Sequence, residues 1–227
     1  YALLAAVNGL HYKAGAAIFI AMILDSLDGR IARWTSSSTP FGKEYDSLSD
    51  LMAFGVAPAA LLYSWALRPF GRIGWVGVFL FVICGALRLA RFNIQSDSNN
   101  QGRFTGLPIP AAAGLVAASV MLVEEFSLFA SPPALAAAVL AYVLAFLMVS
   151  NLSYPDFKTV GWKDRKPFNL LVGSVLILVV VATFPHVTLF LGLSCYALLG
   201  PIEGILGFFR RNRKQDVTEH AGNPTNL

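Results

Sequence analysis

Residues 25–50 read DSLDGRIARWTSSSTPFGKEYDSLSD, four aspartates within a chain otherwise dominated by Ala, Leu, Val and Phe. Asp25 and Asp28 are three residues apart, and Asp46 and Asp50 are four apart. On a helix, each spacing puts both members of a pair on one face. The connection WTSSSTPFGK, with Pro40 and Gly42 as turn residues, predicts a helical hairpin whose four carboxylates converge.

On both sides of this stretch the chain is apolar. Of its 227 residues 56% are hydrophobic and 13% charged, whereas a soluble domain carries about 25% charged residues. The charges are bunched, leaving segments long enough for bilayer-spanning helices of ~20 residues. The predicted spans run up to residue 10 and over 13–33, 44–67, 73–92, 108–125, 133–152, 167–184 and 187–209. The last two are separated by a turn at Pro185 within TFPHVT. The fold class expected is therefore all-α: a polytopic membrane helix bundle of about eight transmembrane helices. YALLAAVNGL is expected to be the outer end of a first, truncated span; it lacks the charged n-region and cleavage site of a signal peptide. No repeat, low-complexity block or soluble domain interrupts the pattern. Residues 1–209 are expected to form one transmembrane domain, followed by a basic, disordered cytoplasmic tail over 210–227.

Lys13, Arg68 and Arg72 fall on one side of this layout, and the other fourteen of seventeen Lys and Arg on the opposite side. The cation-rich side is expected to be cytoplasmic, and the aspartates face it. The net charge of +4 is then explained by orientation and attraction to anionic headgroups, without nucleic acid as a partner. Cys84 and Cys195 lie in apolar spans and read as packing residues. His11, His186 and His220 fall in outer loops or the tail and are not expected to be ligands.

Burying even one carboxylate at membrane depth costs several kcal/mol, and four together repel unless positive charge compensates. Arg30 and Arg33 supply too little. All-oxygen ligation by carboxylates suits hard divalent ions, Mg²⁺ or Mn²⁺, and two such ions bridged by shared carboxylates are a phosphoryl-transfer arrangement. Gly29 and Ala32 leave a bare patch of backbone beside Asp28, and Arg33, one turn from Gly29, can make forked contacts to phosphate.

These residues resemble the CDP-alcohol phosphotransferase signature, D-x2-D-G-x2-A-R-x8-G-x3-D-x3-D. Asp25, Asp28, Gly29, Ala32, Arg33, Gly42, Asp46 and Asp50 match every fixed position. The resemblance implies displacement of CMP from a CDP-linked lipid or alcohol with two metal ions. It implies Asp25, Asp28 and Asp46 as metal ligands, and Asp50 as both ligand and catalytic base. Gly29, Arg33 and the Thr39 hydroxyl would contact the cytidine diphosphate. Further nucleotide contacts in the family come from the preceding helix, ahead of Tyr1.

Three other stretches bear on the acceptor. ALRLARFN carries Arg88, Arg91 and Asn93, GRFTGLPIPAAAGLVAA carries Arg103, Pro108 and Pro110, and MVSNLSYPDFK carries Ser150, Asn151, Ser153 and Tyr154. Together they resemble the phosphatidylserine synthase branch, which has R-x-A-R-F-N, G-L-P-x-P-A-A-A and Y-P-x-F-K stretches. NLSYPDFK departs from it by Leu152 and Ser153 where a basic residue is more usual. The resemblance implies CDP-diacylglycerol and L-serine as substrates, phosphatidylserine and CMP as products, and a homodimer among membrane lipids. It implies the cytoplasmic membrane of a bacterium, with the active site facing the cytoplasm. Arg88, Arg91 or Arg103 would meet the serine carboxylate. The same chemistry with glycerol 3-phosphate, inositol phosphate or choline is the alternative, and a cation-coupled transporter the remote one; the latter predicts acids spread through the membrane depth.

Overall fold

A computed structural model describes residues 1–35, 39–96, 103–127, 132–155 and 183–221. A short helix α1 (Ala2–Val7) turns at Gly9 into α2 (His11–Thr35). α3 (Pro40–Asp50) passes without a break into a π-helical turn over Leu51–Val56, then α4 (Ala57–Leu62) and a second π-helical turn over Tyr63–Leu67. A 3-10 turn at Arg68–Phe70 leads into α5 (Gly71–Ser96). Strand β1 (Arg103–Thr105), α6 (Ile109–Phe126), α7 (Ala134–Val149), strand β2 (Ser153–Pro155) and α8 (Pro185–Ala221) follow.

Phe41–Ile94, Ile109–Phe126 and Pro185–Glu203 are long and apolar enough to cross a membrane, and Ala134–Val149 is a shorter apolar helix. The first, with 54 residues, would be about 80 Å long if straight, against a hydrocarbon core of ~30 Å. It is not straight. Gly71 adopts φ 51° and ψ −121°, a conformation open mainly to glycine, and the chain folds back so that α5 packs on the π turn following α3. The predicted division between 44–67 and 73–92 is thus made at this glycine.

α6 is the centre of the bundle. Its small-residue run Ala112, Ala113, Gly114, Ala117 and Ala118 is buried and lets α2 and α8 approach closely. A Cβ on Gly114 would press on Leu193 of α8 and Met22 of α2, and one on Gly15 would press on Met121. The outward face of α7 is the reverse: Leu135, Val139, Val143 and Phe146 are all exposed. A row of large apolar side chains on the outside suits lipid rather than water.

Among the described residues the all-α bundle carries one short extended pairing. β1 and β2 form a two-stranded antiparallel ribbon in which Arg103, Phe104 and Thr105 pair with Pro155, Tyr154 and Ser153. Gly106 (φ 81°) follows β1, and a Cβ there would collide with the Met148 carbonyl, so the position requires glycine. Its N–H donates to Leu152 O at 2.8 Å, and Leu107 N–H to Leu147 O at 3.1 Å. Pro185 differs from expectation. It opens α8 rather than forming the turn, and the bend falls at Phe184; proline is well suited to a first helical position, where its missing N–H costs nothing. The α8 backbone continues to Ala221, into the stretch expected to be disordered. Residues 167–182 of one predicted span, and the cations Lys158, Lys163, Arg165 and Lys166, lie outside the described residues.

Candidate active site

The hairpin is built from its turn outward. Thr39 is the N-cap of α3: its Oγ1 accepts the Gly42 N–H at 3.0 Å, and Pro40 occupies the first helical position. Asp25 lies ten residues before the end of α2, and Asp50 ten residues after the start of α3. Both are about 15 Å from the turn along their helices, so an antiparallel hairpin sets them opposite each other. Asp28 and Asp46 are similarly matched nearer the turn.

The side chains follow that register. Carboxylate oxygens of Asp25, Asp28 and Asp46 lie within 4.8 Å of one another. The carboxyls of Asp25 and Asp50 are in hydrogen-bonding contact. Asp25 and Asp50 are half-buried, whereas Asp28 and Asp46 are exposed. Like charges this close repel by on the order of 1–3 kcal/mol per pair near a protein surface. Converging all-oxygen donors of this kind suit a hard divalent cation. The donor chemistry therefore fits Mg²⁺ or Mn²⁺.

The surroundings leave room for a ligand. A Cβ built on Gly29 meets nothing within 4 Å, so the α2 surface beside Asp28 is open. Directly after Asp50 the helix widens into its first π turn, a local unwinding found often at functional sites. The side chain of Arg33 lies outside the described residues.

The end of α5 supplies the neighbouring polar groups. Arg88 is buried, its Nε finds no partner in the structure, and its guanidinium lies 5.9 Å from the ring centre of Phe92 one turn on. Its charge is near enough to act on Asp50 and Tyr196. Arg91 Nη2 donates to Asn151 Oδ1 at 2.7 Å. Asn93 Nδ2 donates to Ser47 Oγ at 2.9 Å. The backbone of Arg103 is in β1 opposite Pro155, and its side chain lies outside the described residues.

The three stretches expected to bear on the acceptor are thus tied together: ALRLARFN to MVSNLSYP through Arg91 and Asn151, and GRFTGLP to the same segment through the ribbon. Sequence reasoning had Asn93 and Asn151 in view but neither bond, and it missed Ser47. Tyr154 is fully buried, donates to Ala197 O at 3.1 Å and packs 5.5 Å from the Tyr196 ring. Burial, and then Tyr196, push its phenol up to about 12.

His11, fourteen residues before Asp25 on α2, is about 21 Å from it along the helix. Its Nδ1 lies 3.5 Å from Glu124 Oε1, which also accepts Trp65 Nε1–H at 2.9 Å. That node ties helix ends together far from the carboxylates.

Comparison with known proteins adds an independent finding. A family model described as CDP-alcohol phosphatidyltransferase matches residues 1–149. The chain is 43% identical over 188 residues to a CDP-diacylglycerol–serine O-phosphatidyltransferase of Helicobacter pylori strain J99, covering 83% of this chain and 78% of the relative. It is 38% identical over 190 residues to a protein of the same description from Methanocaldococcus jannaschii, covering 84% and 83%. An archaetidylserine synthase of Methanothermobacter thermautotrophicus is 38% identical over 161 residues, covering 70% and 65%.

Proposed function

The chain belongs to the CDP-alcohol phosphatidyltransferase family, and from that premise we infer that it transfers the phosphatidyl group of CDP-diacylglycerol to L-serine, giving phosphatidylserine and CMP. The observation that carries the chemistry is the convergence of Asp25, Asp28 and Asp46, with Asp50 in contact with Asp25. The acceptor rests on the relatives, two described as CDP-diacylglycerol–serine O-phosphatidyltransferases and one as an archaetidylserine synthase.

Asp25, Asp28 and Asp46, with Asp50 beside Asp25, would hold two divalent ions. When bound, the metal supplies positive charge that offsets the diphosphate as CMP departs. Gly29 lets the diphosphate approach the α2 backbone, with Arg33 and Thr39 as its further contacts. The Thr39 oxygen is engaged by the Gly42 N–H, which leaves its own O–H to donate. Asp50 accepts the proton of the serine hydroxyl as that oxygen attacks the phosphorus bearing diacylglycerol. The new P–O bond forms as the bond from that phosphorus to CMP breaks. Arg91, held by Asn151, or Arg88, buried within electrostatic reach of Asp50, would meet the serine carboxylate, with Arg103 as the third candidate.

In this reading the protein is an integral membrane enzyme of about eight spans, a homodimer in the bacterial cytoplasmic membrane. Its carboxylates and the tail over 210–227 face the cytoplasm. The lipid substrate enters sideways from the inner leaflet, with its acyl chains still in the bilayer. Release of CMP from CDP-diacylglycerol in detergent, measured with serine, glycerol 3-phosphate, inositol phosphate and choline in turn, tests the assignment. Turnover confined to serine supports it; turnover confined to another alcohol replaces the acceptor and keeps the chemistry.

A further inference from the structure

The helix that holds half of the candidate metal ligands is poorly anchored by packing. Phe41, Lys43, Glu44, Tyr45, Asp46, Leu48 and Ser49 of α3 are all exposed. Ser47 is an exception, half-buried between Asp46 and Asp50 in sequence and turned toward α5. Its hydroxyl proton is committed, donated to the Lys43 carbonyl one turn back at 3.1 Å. The remaining lone pairs can only accept. Asn93 Nδ2 meets that requirement from the end of α5, at 2.9 Å. The direction of the bond is therefore fixed by the hydroxyl's own geometry.

We propose that Asn93 is a positioning residue for the metal-holding carboxylates, acting through Ser47 to hold α3 against α5. Without an ion, the acidic faces of α2 and α3 repel each other, and a lightly packed α3 moves away. The amide–hydroxyl bond opposes that movement and keeps Asp46 and Asp50 near Asp25 and Asp28 before the ion arrives. Preorganisation of this kind appears as metal affinity, because the free site has less reordering to do on binding. Arg91, two residues earlier, is held by Asn151. The same helix end thus fastens the metal side and the acceptor side of the site. The proposal rests on the two-metal reading above.

The test is Mn²⁺ binding to the purified full chain in nanodiscs, followed by electron paramagnetic resonance without substrate, with CMP release measured alongside. Asn93→Ala and Ser47→Ala should each weaken Mn²⁺ binding by about two- to tenfold, the range one net hydrogen bond supplies. The metal concentration for half-maximal activity should rise by the same factor. Ser47→Thr, which keeps the accepting hydroxyl, should bind as the parent does. The double variant should be no worse than either single one, since both remove one bond. Unfolding midpoints in the absence of metal should stay close to the parent's. Parent-like affinity in both alanine variants, additive losses in the double variant, or losses that track only the unfolding midpoint would overturn the proposal. A parent protein that binds no Mn²⁺ would instead overturn the metal reading on which it rests.

Discussion

Tyr154 of β2 donates its hydroxyl to the carbonyl oxygen of Ala197 in α8, at 3.1 Å. The ribbon that joins the GRFTGLP and MVSNLSYP stretches is thereby fastened to α8. Gly200, one turn beyond Ala197, makes the contact possible, because a Cβ there would run into the Tyr154 ring. Sequence alone marked Tyr154 as part of a polar cluster at a span end. Its full burial gives it a structural role as well.

Tyr154→Phe should cost about 1 kcal/mol, the net value of one hydrogen bond, and Tyr154→Ala about 3–5 kcal/mol through the cavity left behind. The alkaline behaviour follows from the phenol. Its value rises from 10.0 to about 12 in the folded protein, so the folded state holds the proton more tightly than the unfolded chain. That contribution to stability is whole below about pH 10 and is lost as the pH climbs through about 12. Thermal unfolding in detergent should show a steeper decline for the parent than for Tyr154→Phe across that window. Parallel declines would contradict the burial of the phenol.

Gly29 separates function from stability. It sits within α2, where glycine costs about 0.5–1 kcal/mol relative to alanine, and its missing Cβ points into open space. Gly29→Ala should therefore leave the unfolding midpoint unchanged or slightly raised. The apparent KM for CDP-diacylglycerol should rise by about tenfold, because the added methyl stands where the diphosphate approaches. A variant equal to the parent in both measurements would remove Gly29 from the binding surface.

The apolar helices among the described residues and the carboxylate hairpin were legible because their determinants are local. Apolar run length gives a spanning helix, and the spacings of Asp25, Asp28, Asp46 and Asp50 give the shared faces. The register could have been read as well, from the equal distances of Asp25 and Asp50 to the turn. The ribbon was not legible: strands of three residues are too short to show alternation, and Arg103–Thr105 pairs with a segment far along the chain. The bonds from Arg91 to Asn151 and from Asn93 to Ser47 span 60 and 46 residues, so no sequence spacing announces them. Thr39, a nucleotide contact by resemblance, also caps α3, a role that Thr before Pro signals locally.

Arg91 is assigned to the acceptor carboxylate, with Asn151 as its support. Arg91→Ala should raise the KM for serine by roughly tenfold or more, as expected for loss of a charge-assisted contact, and change kcat less. Asn151→Ala should do the same more weakly, since the guanidinium remains but is less restrained. Saturation curves for serine at fixed CDP-diacylglycerol measure both. A fall in kcat with unchanged KM would move Arg91 from acceptor binding to the chemical step.

Asp50 is given two tasks, and its replacement by asparagine tests them separately. The amide side chain would keep an oxygen for the metal and the contact with Asp25, but it cannot accept the serine proton. Asp50→Asn should therefore lower CMP release by at least about a hundredfold, in line with loss of a general base, while CDP-diacylglycerol binding changes little. Chelation with EDTA should act differently: it should abolish turnover in the parent, and restored Mg²⁺ or Mn²⁺ should recover it. Asp28→Ala should resist that recovery until the metal concentration is raised, because one ligand is missing. Near-parental turnover in Asp50→Asn would remove the base from this position. Turnover indifferent to EDTA would leave the convergence of Asp25, Asp28 and Asp46 without the ions that explain it.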